Sequence, residues 1–446
     1  MPDTLRPRLR AEDPAALAAL IADAAEPLPD PGDPAFALPF DRFAEACVVL
    51  LGESSHGTSE FYRARAAITR HLIEHHGFTV VGVEADWPDA AVLDRHVRHL
   101  PPRPGAEPPF RRFPKWMWRN REVAEFLRWL RGHNRELPPD RRAGFHGLDM
   151  YNMNASIAAV LAFLDEADPE AAALARERYG CLTPSGHRPT ERGRGVLARA
   201  LGACETAVTA QAQDLLRRQF EDGHDLFDAA QDARLVASAE RYYRISHHGG
   251  PESWNLRDTH MVETLENLLA ARGSDARAVV WAHNSHVGDA RATAMGWDGG
   301  ELNLGQLCRE RWGTDCVTIG LGTHAGTVAA ASDWGGAMEV KGVRPSREGS
   351  LERACHDAGE RAGLPRFLLD LREQRPVRDA LLPARLERFI GVIYRPESEL
   401  RSHYAEAALA RQFDAWTWLD ETTAVTPLDR VPGPAGEGSE TWPSGL

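Results

Sequence analysis

Apolar residues recur along the chain in two rhythms. Short runs dense in Val, Leu, Ile and Phe, at Ala46–Leu51, Thr79–Glu84, Ala143–Leu148, Ala278–His283, Asp315–Leu321 and Phe389–Tyr394, have the length of buried strands. Between them apolar residues return at helical spacing. This alternation predicts an α/β fold with a mainly parallel central sheet flanked by helices. From residue 154 to 273 only Ala-, Leu-, Arg- and Glu-rich helical sequence is found, so that segment reads as a large helical insertion capping the carboxyl edge of the sheet. Residues 1–153 and 274–430 would then form the α/β core, and residues 431–446, which lack apolar periodicity, a disordered tail. The Pro-rich stretch Leu100–Pro114 reads as a surface loop.

Composition narrows the partners. With 43% hydrophobic and 26% charged residues, the 446-residue chain can bury a substantial core. Its 52 Lys and Arg against 65 Asp and Glu leave a net charge of −13, which repels phosphate backbones and argues against a nucleic-acid partner. No apolar run approaches the roughly 20 residues of a membrane span. The N-terminal stretch breaks its apolar run with acids, so it reads as an amphipathic helix rather than a secretory signal. Six cysteines without a C-x-x-C pair speak against a zinc ribbon or a disulfide framework, and a reducing cytoplasm is the expected compartment.

Four of the expected strands end in ionisable residues. One runs into Glu53 and His56, a second into Glu84, Asp86 and Trp87, a third into Asp149, and a fourth into His283 and His286. In a parallel sheet these side chains gather at the carboxyl edge, where open α/β sheets place their ligand sites. On the next predicted helix Arg65 interrupts an apolar stripe at i+4 from Phe61 and i−3 from Ile68, so it needs a buried partner, for which Glu53 and Glu84 are available. Arg257 repeats the pattern beside Met261, Leu265 and Leu268. Among the tryptophans, Trp87 is expected to line a substrate cleft. The pair His247-His248 reads as a solvated loop, and the Arg-rich run Arg111–Arg121 as a cleft rim or solvated face.

The segments GESSHGTSEFYRARAAITRHLIEHHGF, VGVEADWP and VVWAHNSHVGD, in this order, resemble the erythromycin esterase family. The resemblance runs from Val48 to Tyr394. It implies an α/β domain with a helical part and a hydrolase of macrolactone esters, the activity of resistance enzymes, working without a serine nucleophile, a metal or another cofactor. It also implies that His56 is the general base, with Glu53 the acid of the same motif and Arg65 the arginine of the next helix. Glu84 matches the acid after the second strand, and His283 and His286 match the A-H-N-x-H pair.

Ester hydrolysis needs a base for water and a cation or dipole for the oxyanion. The expected catalytic set is His56, Glu53, Glu84, Arg65 and His283, with His286, Asp149, Trp87, Asp86 and Arg257 binding a small-molecule ester or lactone. Ser54 and Ser55 are alternative nucleophiles, although G-E-S-S-H lacks the G-x-S-x-G elbow. The same His and Glu residues could instead hold a divalent metal, or form the cleft of a non-enzymatic binding protein. Oligomeric state is not legible.

Overall fold

The computed structural model describes residues 13–103, 108–182, 204–219, 223–246, 250–373 and 375–428. The expected tail at 431–446 and His247-His248 lie outside them. An eight-stranded sheet comprises β1 (Glu26–Pro27), β2 (Val48–Leu51), β3 (Val80–Asp86), β4 (Gly144–Asp149), β5 (Ala278–Trp281), β6 (Cys316–Gly322), β9 (Arg366–Asp370) and β12 (Ala415–Leu419), in the order β1-β9-β12-β6-β2-β5-β3-β4. From β12 to β4 the pairing is parallel, and β9 runs antiparallel to β12 and β1. Beside it lie a three-stranded sheet of β7 (Ala325–Ala330), β8 (Glu339–Val343) and β13 (Glu421–Thr422), and a hairpin-like pair, β10 (Arg385–Arg388) and β11 (Tyr404–Ala407).

The central strands are apolar on both faces because helices cover both. Val49 and Leu51 face a core shared with Phe61, Ile68 and Leu72 of α2 (Ser59–His76), whereas Val48 and Leu50 face Met261, Leu265 and Leu268 of α9 (Glu252–Arg272). Helices α1 (Pro14–Ala24) and α8 (His224–Ile245) share the second face, and α4 (Arg121–Asn134) the first. Adjacent strands β2 and β5 send their chains to opposite faces: α2 packs on one, and the segment after β5, with Val287 and Leu304, packs on the other. That reversal opens a crevice at the carboxyl ends of β2 and β5.

One strand of the sequence reading changes. Phe389–Tyr394 is not a sheet strand; it is an irregular segment that bridges Ser55 through Ile390 and Ala331 through Ile393, its side chains buried with Val328 and Val343. Beyond β6 the sheet continues instead with β12 and β9, five-residue runs too short for periodicity to distinguish from helix, and ends on β1.

The described residues of the expected helical stretch contain helices and no strand. Helices α5 (Met153–Ala167), α6 (Pro169–Tyr179) and α7 (Glu205–Leu216) form a core of their own around Val160, Leu164 and Val208, on the flank of α8. Cys181 and Cys204 are bridged there, a pairing that scattered cysteines did not announce. Among the described residues no helix is long and apolar enough to cross a membrane.

Candidate active site

The turn Gly52–Gly57 leaves β2 at the crevice. Both glycines are demanded by close approach: a Cβ at Gly52 would lie 2.1 Å from Asn284 Oδ1, and one at Gly57 1.9 Å from the Ala329 carbonyl oxygen. Wedged this way, the turn presents Glu53 and His56, both buried, with His56 Nδ1 3.0 Å from Glu53 Oε1. A proton on Nδ1 donated to that carboxylate leaves the Nε2 lone pair free. Thr58 stands at the N-cap of α2 but makes no side-chain cap bond; its hydroxyl pairs with that of Ser55.

Arg65 is fully buried behind Glu53, donating from Nη2 to Oε2 at 2.6 Å, with its Cζ 4.5 Å from the Tyr62 ring centre and 5.3 Å from that of Trp281. One carboxylate oxygen thus answers the guanidinium and the other the imidazole. Arg65→Ala strands Glu53 in the core and is expected to destabilise the fold by about 3–5 kcal/mol, measured by urea unfolding. An unfolding midpoint equal to the parent's would contradict this pairing.

A second cation faces the crevice. Arg257, on α9, donates from Nη2 to Asp149 Oδ2 at 2.6 Å and to Glu84 Oε1 at 2.8 Å, while its Nε lies 3.1 Å from both Asp149 oxygens. Glu84, at the end of β3, also accepts the His283 backbone N–H through Oε2 at 2.9 Å. Its Oε1 lies 3.2 Å from His286 Nε2 and 3.9 Å from His56 Nε2. Burial opposes the charge on Glu84, but His286, His56 and Arg257 hold its carboxyl well below the usual range.

His286 rides on the short helix α10 (Asn284–Val287) after β5, its Nδ1 2.8 Å from Asp258 Oδ1. Burial disfavours its charge, but Asp258 and Glu84 push it up to about 9, so both ring nitrogens donate to carboxylates and Arg257 Nη1, 3.1 Å from Nε2, is a neighbour and not a partner. His283 has the opposite fate: burial and the adjacent His56 hold it well below its ordinary value. Its Nδ1 accepts from the Ser285 N–H at 3.3 Å and meets the Ser285 hydroxyl at 2.9 Å. The Nε2–H is therefore left without a well-formed bond, although the Ser54 carbonyl stands near the ring. The His56 and His283 ring centres are 4.8 Å apart.

The crevice cavity is lined by His56, Glu84, Asp86, Asp149, Arg257, His283 and His286, so the ends of β2, β3, β4 and β5 do converge. Glu53 and Arg65 stand behind His56. Asp86 accepts the Tyr151 N–H at 2.9 Å, and burial, with Asp89 and Asp149 beside it, pushes its carboxyl up to about 7. Trp87 is misplaced by the sequence reading: it is buried in the sheet core, stacked on His146 with ring centres 5.9 Å apart. Aromatic walls come instead from Trp254, stacked on His286 at 4.4 Å, from Tyr151, Phe110 and Trp118, and from Trp334.

Arg112, within the predicted rim, lies 3.6 Å from Asp86. Within the helical stretch expected at residues 154–273, the described residues that line the cavity are Trp254 and Arg257 of α9, which share the lining with residues of the Phe110–Trp118 segment. Asp258 escaped sequence reasoning because it acts only through His286.

Comparisons with known proteins agree with this architecture. The chain is 23% identical over 337 residues to the erythromycin esterase type II of Escherichia coli, covering 70% of this chain and 78% of that one. A Bacillus cereus protein of known structure superposes with a TM-score of 0.77 at 17% identity, covering 94% of this chain and 100% of that one. A mutant of the erythromycin esterase EreC in its open conformation gives 0.63 at 19% identity, covering 88% and 95%. The sequence model described as Erythromycin esterase matches residues 73–422, and by that match along most of its length the chain belongs to the erythromycin esterase family.

Proposed function

We propose that the protein hydrolyses small-molecule carboxylic esters, macrolactones among them, by direct attack of a water molecule that His56 activates. The observation that carries this reading is the Arg65–Glu53–His56 chain ending in an Nε2 that opens on the cavity. Glu53 fixes the tautomer and stabilises the imidazolium once the proton is taken, the orienting logic of a triad without its nucleophile. The tetrahedral oxyanion is met by the His283 Nε2–H and the Arg257 guanidinium, both on the cavity wall. Arg65, expected in the catalytic set, is not among the cavity-lining residues and acts by holding Glu53. Asp86, held near 7, hydrogen-bonds an ester oxygen in its protonated form.

Two features favour water over the competing chemistries. Neither Ser54 nor Ser55 is among the cavity-lining residues, and the Ser55 hydroxyl is engaged by Thr58. The Glu84 oxygen nearest His56 is already bonded to Arg257, so a guanidinium supplies the positive charge there. The test is an activity screen across macrolactones and simple aryl and alkyl esters, with and without chelator. Turnover that EDTA leaves unchanged is expected; activity that EDTA abolishes and a divalent ion restores would assign the cluster to metal hydrolysis instead.

A further inference from the structure

A second cavity, of about 320 Å³, lies toward the amino end of β4, away from the catalytic crevice. Four elements meet there: β4, the C-terminal end of α9, the first turn of α8, and Arg98, which follows α3 (Trp87–Val97). Its wall carries Arg98, His146, Gln219, His224 and Arg272, and no carboxylate among the described residues. Asp94 stands behind that wall, accepting the Phe145 N–H at 3.0 Å and Arg98 Nη1 at 3.2 Å.

The wall is rich in nitrogen and, among the described residues, short of aligned acceptors: Asp94 Oδ1 lies 3.6 Å from His146 Nε2 without forming a hydrogen bond to it. Arg98 Nε, His146 Nε2, His224 Nε2 and Arg272 Nη2 are all shielded from solvent and have no hydrogen-bond partner, and the His146 side chain is only 4% exposed. His224 Nδ1 lies 3.3 Å from Arg98 Nη1 and accepts from it, which puts the ring hydrogen on Nε2. That nitrogen is 3.4 Å from both Asp94 and Asp228, aligned as a hydrogen bond with neither. Gln219 Oε1 accepts from Gln231 at 2.8 Å. The first turn of the 22-residue helix α8 has Gly223 at its N-cap and no side-chain cap bond. Buried donors that lack acceptors are the exception in native proteins and call for an occupant.

Gly144 lets these side chains close in on the β4 backbone. A Cβ there would fall 2.2 Å from His146 Nε2, 2.5 Å from Asp94 Oδ1 and 2.8 Å from Arg272 Nη2. Arg272 remains charged at neutral pH, because burial lowers it only to about 10.

We infer that this cavity binds a small tetrahedral oxyanion, inorganic phosphate or the phosphate group of a small monoester, through Arg98, Arg272, His146 and His224. Donors from four separate elements suit an oxyanion with acceptors in every direction better than a planar carboxylate, which two parallel donors satisfy. Such a ligand would tie α3, α8 and α9 to β4, the strand that also carries Asp149 three residues beyond His146 into the catalytic crevice.

Calorimetric titration of the full chain with inorganic phosphate, glycerol phosphate and acetate tests this. One saturable site is expected for phosphate or its monoester, with a Kd of about 1 mM or tighter. Tighter binding of glycerol phosphate would identify an esterified ligand, and tighter binding of inorganic phosphate the free ion. Arg272→Gln and His224→Gln should each weaken it at least tenfold, as read on variants whose melting in phosphate-free buffer matches the parent's. Should one variant fail to fold, the other and the parent titration carry the result. No saturable binding up to about 10 mM, equal binding of acetate, or affinity unchanged in the variants would overturn the inference.

Discussion

Replacing His56 with Ala is expected to lower kcat by about 10²- to 10⁴-fold, the usual contribution of a positioned general base, while the fold survives. The survival follows from geometry. His56 makes one side-chain bond, to Glu53 Oε1, and Glu53 keeps its ion pair with Arg65 through the other oxygen. Removing the imidazole therefore opens space beside the cavity without leaving a buried charge alone. KM should change little, because the base acts on water and not on the ester. Steady-state kinetics on the best ester of the screen, with circular dichroism as the folding control, measures both. Parent-level kcat in the His56→Ala protein would remove the base from the account.

Arg257→Ala is expected to cost both stability and activity. The guanidinium is the shared partner of Glu84 and Asp149, both nearly inaccessible, and its removal leaves two carboxylates close together in a low-dielectric crevice. His286 can answer Glu84, but among the described residues only Met150 N–H, at 2.9 Å, remains bonded to Asp149. A loss of about 3–5 kcal/mol is expected for breaking a buried pair of this kind. Activity should fall as well, since the same guanidinium faces the oxyanion. Urea unfolding of the Arg257→Ala protein checks the first effect. Arg257→Lys is expected to restore part of the stability and little of kcat, because an ammonium cannot span two carboxylates with a planar fork.

How far the sequence discloses this site depends on what each residue does. Glu53, Glu84, Asp149 and His283 end or follow strands, and parallel pairing brings strand ends to one edge, so their meeting could be anticipated from the pattern alone. Arg65 and Arg257 could be found because a charge on an apolar helical stripe needs a buried partner. Which carboxylate each would take could not: α2 and α9 lie on opposite faces, and only the crossover topology sends Arg65 to Glu53 and Arg257 to Glu84 and Asp149.

Aromatic residues were the least legible. Trp87 directly follows Asp86 and Trp254 lies two residues after Glu252, yet one packs into the core and the other stacks on His286, because an aromatic side chain serves a core or a cavity wall equally well. The loop Phe110–Trp118 has no periodicity to read, and its packing over the crevice is a tertiary event.

The most direct test of the central claim, attack by water without an acyl-enzyme, is intact-protein mass spectrometry of the enzyme quenched during turnover of an activated ester, with the alcohol released in the first turnover followed in parallel. Direct attack predicts an unmodified protein mass throughout and alcohol release that is linear from the first turnover. A mass increase equal to the acyl group, mapped to Ser54, Ser55 or Ser285 and accompanied by a stoichiometric alcohol burst, would contradict it.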